Sequence, residues 1–239
     1  MHLRKLFTLL VVGVLFVGAG VANAAFLLEI DTDGLSNGSV TFNPLFSFGG
    51  DTTAATASIP STAFGMNGGN SIFGGNGSAD LDTYTATYSP DSMADNLAVA
   101  AGTDLGDGNT ASGLVGGGPG LYAVYATWPF TSNVSGGPVT YNVTTSGDSS
   151  SVQIDQNGFP IIIPAPGPQP GSPGLGHVWV KVGEVSYTSG SIDLEQVAFS
   201  NSFSSMRAAG YLFERVVPEP TAALLGLSGV ALTLVRRRR

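Results

Sequence analysis

The chain has 239 residues, no cysteine and a formal net charge of −8 at pH 7. Without cysteine it has no disulfide, thiolate nucleophile or zinc–thiolate site. Between residues 25 and 217, three basic residues, Lys181, Arg207 and Arg215, stand against sixteen acidic ones, a balance of −13; such a surface repels phosphate backbones, so nucleic acid is not an expected partner.

Residues 1–24 have the pattern of a secretory signal. Arg4 and Lys5 precede an apolar run, Leu6–Val17, and Ala22-Asn23-Ala24 is an A-x-A site that places signal-peptidase cleavage before Ala25. From Ala25 to Val217 the chain has almost no helical period. Short runs rich in Val, Ile, Thr, Tyr and Phe alternate with Gly, Asn, Asp and Pro, which predicts strands and turns. The expected strands are Phe26–Ile30, Ser39–Phe42, Phe46–Phe48, Thr83–Tyr88, Leu121–Trp128, Val139–Thr145, Val152–Asp155, Val178–Tyr187, Ile192–Phe199 and Tyr211–Val217. Val139, Tyr141 and Val143 alternate with polar neighbours, as in a half-buried antiparallel strand, whereas Leu121–Trp128 is apolar on both faces and is expected to be central. Gly65–Gly77 reads as a loop or bulge, since no Walker lysine follows it. Phe159–Gly176, with six prolines, reads as a semi-rigid excursion between strands. Many short strands with regular turns predict an all-β antiparallel sandwich or barrel.

The tail has three parts: Val217-Pro218-Glu219-Pro220, the fifteen apolar residues Thr221–Val235, and Arg236, Arg237, Arg238 and Arg239. The prolines hold an extended peptide. As a helix the apolar run spans roughly 22 Å, short of the ~30 Å hydrocarbon core, and the arginines act as a cytoplasmic stop. Tripeptide, span and basic end together resemble the bacterial PEP-CTERM sorting signal, which implies recognition and removal of the tail by exosortase. Residues 218–239 are therefore assigned to a sorting signal with a transmembrane helix.

A second resemblance covers Gly120–Glu214. Gly120–Pro129, Val139-Thr-Tyr-Asn-Val143, Val152-Gln-Ile-Asp-Gln156, Trp179-Val-Lys-Val-Gly183 and Ala208–Glu214 are similar to the golvesin/xanthan-lyase carbohydrate-binding-like module. Ser71–Gly75 and Asp82–Tyr84 extend the match if they are its first strands. The proline-rich insertion separates Gln156 from Trp179, and Ala209 stands where that family has aspartate. The resemblance implies a jelly-roll, galactose-binding-like sandwich with carbohydrate contact. Residues 116–217 carry it, and residues 25–115 are read as an N-terminal β region of the same sandwich.

Few residues suggest chemistry. His177 is the one histidine beyond the signal, and no nucleophile elbow accompanies it. The acids are mostly turn aspartates, and Glu29, Glu184, Glu195 and Glu214 lie on predicted strands, where alternation directs strand acids to solvent. Asp31, Asp33, Asp104 and Asp107 resemble fragments of oxygen-ligand loops and are the candidate ligands for a structural Ca²⁺. For sugar, the candidates are Trp128, Trp179 and Tyr125. On its strand, Trp179 lies opposite Val178, Val180 and Val182, either on the surface or in a second core. Asn37, Asn76, Asn133 and Asn142 begin N-x-[ST] tripeptides that read as turn polarity.

The resulting expectation is an exported, non-enzymatic protein of the cell surface or exopolysaccharide matrix. It passes through an inner-membrane-anchored precursor handled by signal peptidase and exosortase, with polysaccharide as a partner. The alternatives are a self-assembling structural or adhesive protein and a polysaccharide-active hydrolase.

Overall fold

A computed structural model describes residues 24–50, 55–74, 81–112, 117–129, 138–156, 162–163, 178–198 and 206–216. The expected signal residue Ala22, the tail from Val217 through Pro218, Glu219 and Pro220 to Arg236–Arg239, and His177, Asn76 and Asn133 lie outside these. Among the described residues no helix is long and apolar enough to cross a membrane.

Two antiparallel sheets form the body. One has five strands, ordered β13 (Val180–Tyr187), β9 (Gly120–Thr127), β16 (Gly210–Val216), β1 (Ala24–Glu29) and β6 (Leu97–Ala98). The other has six: β12 (Ile162–Ile163), β11 (Ser149–Ile154), β10 (Val139–Thr144), β14 (Ile192–Val197), β5 (Thr83–Tyr88) and β2 (Phe46–Gly49). A three-stranded sheet, β15 (Met206–Ala208), β4 (Ser71–Gly74) and β3 (Thr56–Ser58), and a hairpin of β7 (Asp104–Gly106) and β8 (Asn109–Thr110) complete the described fold.

Alternation explains the sandwich. Phe26 and Leu28 of β1, Tyr122 and Val124 of β9, and Tyr211 and Phe213 of β16 face Tyr84, Ala86 and Tyr88 of β5 and Tyr141 and Val143 of β10 in one core. Phe26 stacks on Tyr88 across it, with ring centroids 4.4 Å apart. The outer face of the six-stranded sheet is polar, carrying Thr85, Asn142 and Glu195. The outer face of the five-stranded sheet is covered instead. Ala25, Leu27, Ala123, Tyr125 and Leu212 pack there against Ala63, Val99, Leu105, Ala111 and Trp179, contributed by connecting segments and the approach to β13.

Most predicted strands form, with β9 central as expected. Ser39–Phe42 does not; its contribution is a single bridge from Phe42 to Asp31. Conversely, Ser71–Gly74 is a strand inside the glycine-rich segment expected to be a loop, and Ile162–Ile163 pairs with Ile154 and Gln153 inside the proline-rich one. Neither carries enough residues to display a period; each is a strand because a partner edge lies beside it. β13 has a bulge between Lys181 and Gly183. The bulge shifts the frame by one residue, so that Val180, Val182, Val185 and Tyr187 all reach the main core.

Candidate functional site

The sugar candidates are interior residues, and this corrects the expectation for them. Trp128 and Trp179 are both 0% exposed and Tyr125 is 4% exposed. Trp128 donates its Nε1–H to the Gln156 carbonyl at 3.2 Å and stacks on Tyr141. Trp179 donates to the Phe64 carbonyl at 2.9 Å within the second core. A sugar platform needs an open aromatic face, and these indoles have none. The expected alternation at Trp179 is correct, but a second layer covers that face. The same layer buries Glu214, which accepts the Ser112 N–H at 2.6 Å and the Tyr125 hydroxyl at 3.3 Å instead of facing solvent.

Three of the four Ca²⁺ candidates serve the backbone. Asp31 is buried and accepts the N–H groups of Asp33, Thr41 and Asn70 at 3.3, 3.2 and 3.0 Å, tying three turns together. Asp33 accepts the Leu35 N–H at 2.8 Å and Asp104 the Gly106 N–H at 2.8 Å, both closing Asx turns. Asp107 lies on the β7–β8 turn, in the same hairpin as Asp104. Among the described residues no three His, Cys, Asp or Glu side chains form a group able to hold a metal.

The structure instead places a polar cleft of about 270 Å³ on the covered side of the five-stranded sheet, beside β1. Glu29, Thr32, Asn43, Asn67 and Asn96 line it with Leu27, Gly65 and Leu97. Leu27 and Glu29 point there because Phe26, Leu28 and Ile30 take the opposite face for the main core. Asn96 forms the wall just before β6 begins: its Oδ1 accepts the Leu27 N–H and its Nδ2 donates to the Leu27 carbonyl, each at 2.7 Å, in place of a neighbouring strand. Asn43 is held by its own N–H, which donates to the Ile30 carbonyl at 2.9 Å, and by its Oδ1, which accepts the Leu45 N–H at 3.0 Å. Asn67 is positioned by its N–H, donated to Glu29 Oε1, and by its Oδ1, which accepts the Gly69 N–H at 2.9 Å. The loop before it is seated by Met66 against Gly210, where a Cβ would lie 3.0 Å from the sulfur.

These anchors leave a defined set of groups unused. Among the described residues, Glu29 Oε2 and the amide nitrogens of Asn43 and Asn67 have no hydrogen-bond partner. Thr32 donates its hydroxyl to the Thr41 carbonyl at 2.9 Å and keeps its lone pairs. Burial raises the Glu29 pKa above its ordinary value; the Asn67 N–H opposes that shift and the nearby charge of Asp31 adds to it. None of the three basic residues lines the cleft. Lys181 pairs with Glu184, Arg207 is buried over the Phe73 ring, and Arg215 donates to the Gly117 carbonyl at 2.9 Å. Sequence spacing could not reveal this site, because its polar residues come from four separate segments and each alone reads as a turn or strand end.

No protein-family model matches the chain, and no curated protein matches it. Among solved structures, it is similar to a xanthan lyase from Paenibacillus, at 17% identity and a TM-score of 0.46 over 84% of this chain, and it spans 14% of that protein's length. It is also similar to a CBM35 from Cellvibrio japonicus Abf62, at 8% identity and a TM-score of 0.33, covering 72% of this chain and 94% of that one. A third similar structure is an Xyl-CBM35 in complex with a glucuronic acid containing disaccharide, at 9% identity and a TM-score of 0.34, covering 81% of this chain and 99% of that one.

Proposed function

We propose that the chain is an exported, non-catalytic protein of the cell surface or exopolysaccharide matrix that binds polysaccharide through the cleft at Glu29. On this reading its sandwich is of the jelly-roll, galactose-binding-like type that the sequence resembles. The observation that carries the reading is the cleft's unused hydrogen-bonding set. A carboxylate oxygen accepts hydroxyl protons, and the Asn43 and Asn67 amides donate to hydroxyl oxygens. Neighbouring sugar hydroxyls, each both donor and acceptor, complement that mixture. Binding is favoured over hydrolysis because a glycosidase places two carboxylates about the scissile bond. Among the described residues Glu29 is the one acid lining the cleft, and the neighbouring Asp31 is engaged by three backbone N–H groups.

Export and sorting rest on the two termini: the A-x-A site before Ala25, and the PEP-CTERM-like tail with its arginine stop. Signal peptidase and an exosortase are the partners this implies.

The cleft is tested by pull-down on a panel of insoluble polysaccharides, comparing the natural chain with Asn43→Ser and Asn67→Ser. Serine keeps an oxygen for each turn and removes the amide donor. Each variant is expected to bind about tenfold more weakly, as for loss of one hydrogen bond. Undiminished binding by both would remove the cleft as the site, and release of reducing ends by the natural chain would replace binding with hydrolysis.

A further inference from the structure

The cleft has an electrostatic bias beyond a general affinity for hydroxyls. Glu29 is half-buried, with Oε1 engaged by the Asn67 N–H and Oε2 without a partner among the described residues. Asp31 adds a second negative charge close enough to act on it. Among the described residues no cation compensates, because Lys181, Arg207 and Arg215 are all engaged elsewhere and the region from residue 25 to 217 carries −13. An uncompensated, partly desolvated carboxylate is stabilised by a ligand that brings its own positive charge. It disfavours a ligand that brings another carboxylate.

Resting on the polysaccharide reading of this same site, we propose that the cleft at Glu29 selects sugars bearing a free amine, the 2-amino-2-deoxy residues of a de-N-acetylated polysaccharide, over acetamido, neutral and uronic sugars. The ammonium donates to Glu29 Oε2 and to the free lone pair of the Thr32 hydroxyl. The Asn43 and Asn67 amides donate to adjacent ring hydroxyls. N-acetylation removes the charge and adds bulk at the atom that faces Glu29. A uronate places like charges against each other where, among the described residues, no basic side chain separates them.

The test is titration calorimetry of the full-length chain in mild detergent, at about pH 6 and about 0.15 M salt, which screens exposed charges beyond about 8 Å. The ligands are short oligomers of glucosamine, N-acetylglucosamine, glucose and galacturonate. Two variants accompany the natural chain. Glu29→Gln keeps an Oε1 able to accept the Asn67 N–H, and Glu195→Gln removes an exposed charge from the other sheet. The natural chain is expected to bind the glucosamine oligomer about tenfold or more tightly than its acetylated counterpart, the difference expected of one charge-assisted bond. Glu29→Gln should abolish the difference, and Glu195→Gln should leave it intact. A preference that survives Glu29→Gln would belong to the acidic surface as a whole and would overturn the proposal, as would equal or tighter binding of the acetylated, neutral or uronic oligomer. Those outcomes leave the polysaccharide reading standing. Failure of every oligomer to bind would overturn that reading and this proposal together.

Discussion

Asp107 is the one described non-glycine residue at positive φ, 55°, held in the β7–β8 turn between Gly106 and Gly108 at 86° and 73°. Left-handed geometry there suits Asp or Asn, whose short polar side chains tolerate it. Among the described residues its Oδ1, although buried, has no hydrogen-bond partner. Burial accordingly pushes its pKa from 3.8 up to about 6. A carboxyl with a raised folded pKa binds protons more tightly when folded, so its unfavourable contribution grows as pH rises from about 4 to about 6. Asp107→Asn keeps the turn geometry and removes the buried charge. At pH 7 the variant is expected to be more stable by about 1 kcal/mol, after discounting the shift for the group's partial exposure. At pH 4 the two proteins should be nearly equal. Urea unfolding at both pH values checks this, and a destabilised variant at pH 7 would show that the carboxylate has a favourable partner.

Two strands show how elements are held without regular neighbours. β15 pairs with β4 on one side, and on the other its backbone is met by side chains. Gln156 and Gln196 each donate an Nε2–H to the Arg207 carbonyl at 2.8 Å, and Arg207 N–H donates to Gln156 Oε1 at 2.8 Å. Tyr211 closes the network by donating to Gln196 Oε1 at 2.9 Å, so the buried amides are satisfied as an interior requires. β13 is the edge strand of the five-stranded sheet and lies close to β10 of the other. At its bulge, Gly183 sits so close to β10 that an added Cβ would lie 2.6 Å from Val143 Cγ2. Gly183→Ala should therefore push the sheets apart and cost about 1–3 kcal/mol, the usual penalty of overpacking a filled core. The readout is the urea midpoint with the slope unchanged; an unaltered midpoint would mean that β13 moves away from β10 at no cost.

For the whole molecule, the proposed route depends on the ends. On that proposal Pro218-Glu219-Pro220 is the peptide to be recognised, and the apolar run after it relies on its arginines for retention. Glu219→Ala is expected to leave an unprocessed precursor in the inner membrane. Intact-mass measurement of the protein recovered from its host decides the matter, since it reports both cleavages at once. A variant with the same mass and location as the natural protein would remove exosortase-type processing from the account. The acidic charge acts at the same scale, and on the proposed reading it disfavours anionic partners.

Strand identity was local information. Thr83–Tyr88 and Val139–Thr144 could be recognised because side chains alternate with a period of two wherever one sheet face is buried and the other is wet. Whether a face met solvent was not. Trp179, Tyr125 and Glu214 all lie on the outer face of the five-stranded sheet, which is interior only because residues 61–66 and 97–111 fold over it. Those segments have no regular period, so their apolar residues did not announce a second core. The strands β4 and β15 exist because partner backbones satisfy them, although their short sequences show no strand period. The cleft depended on tertiary structure most of all. Glu29, Thr32, Asn43, Asn67 and Asn96 carry no common spacing, and packing alone brings their unused donors and acceptors to one place.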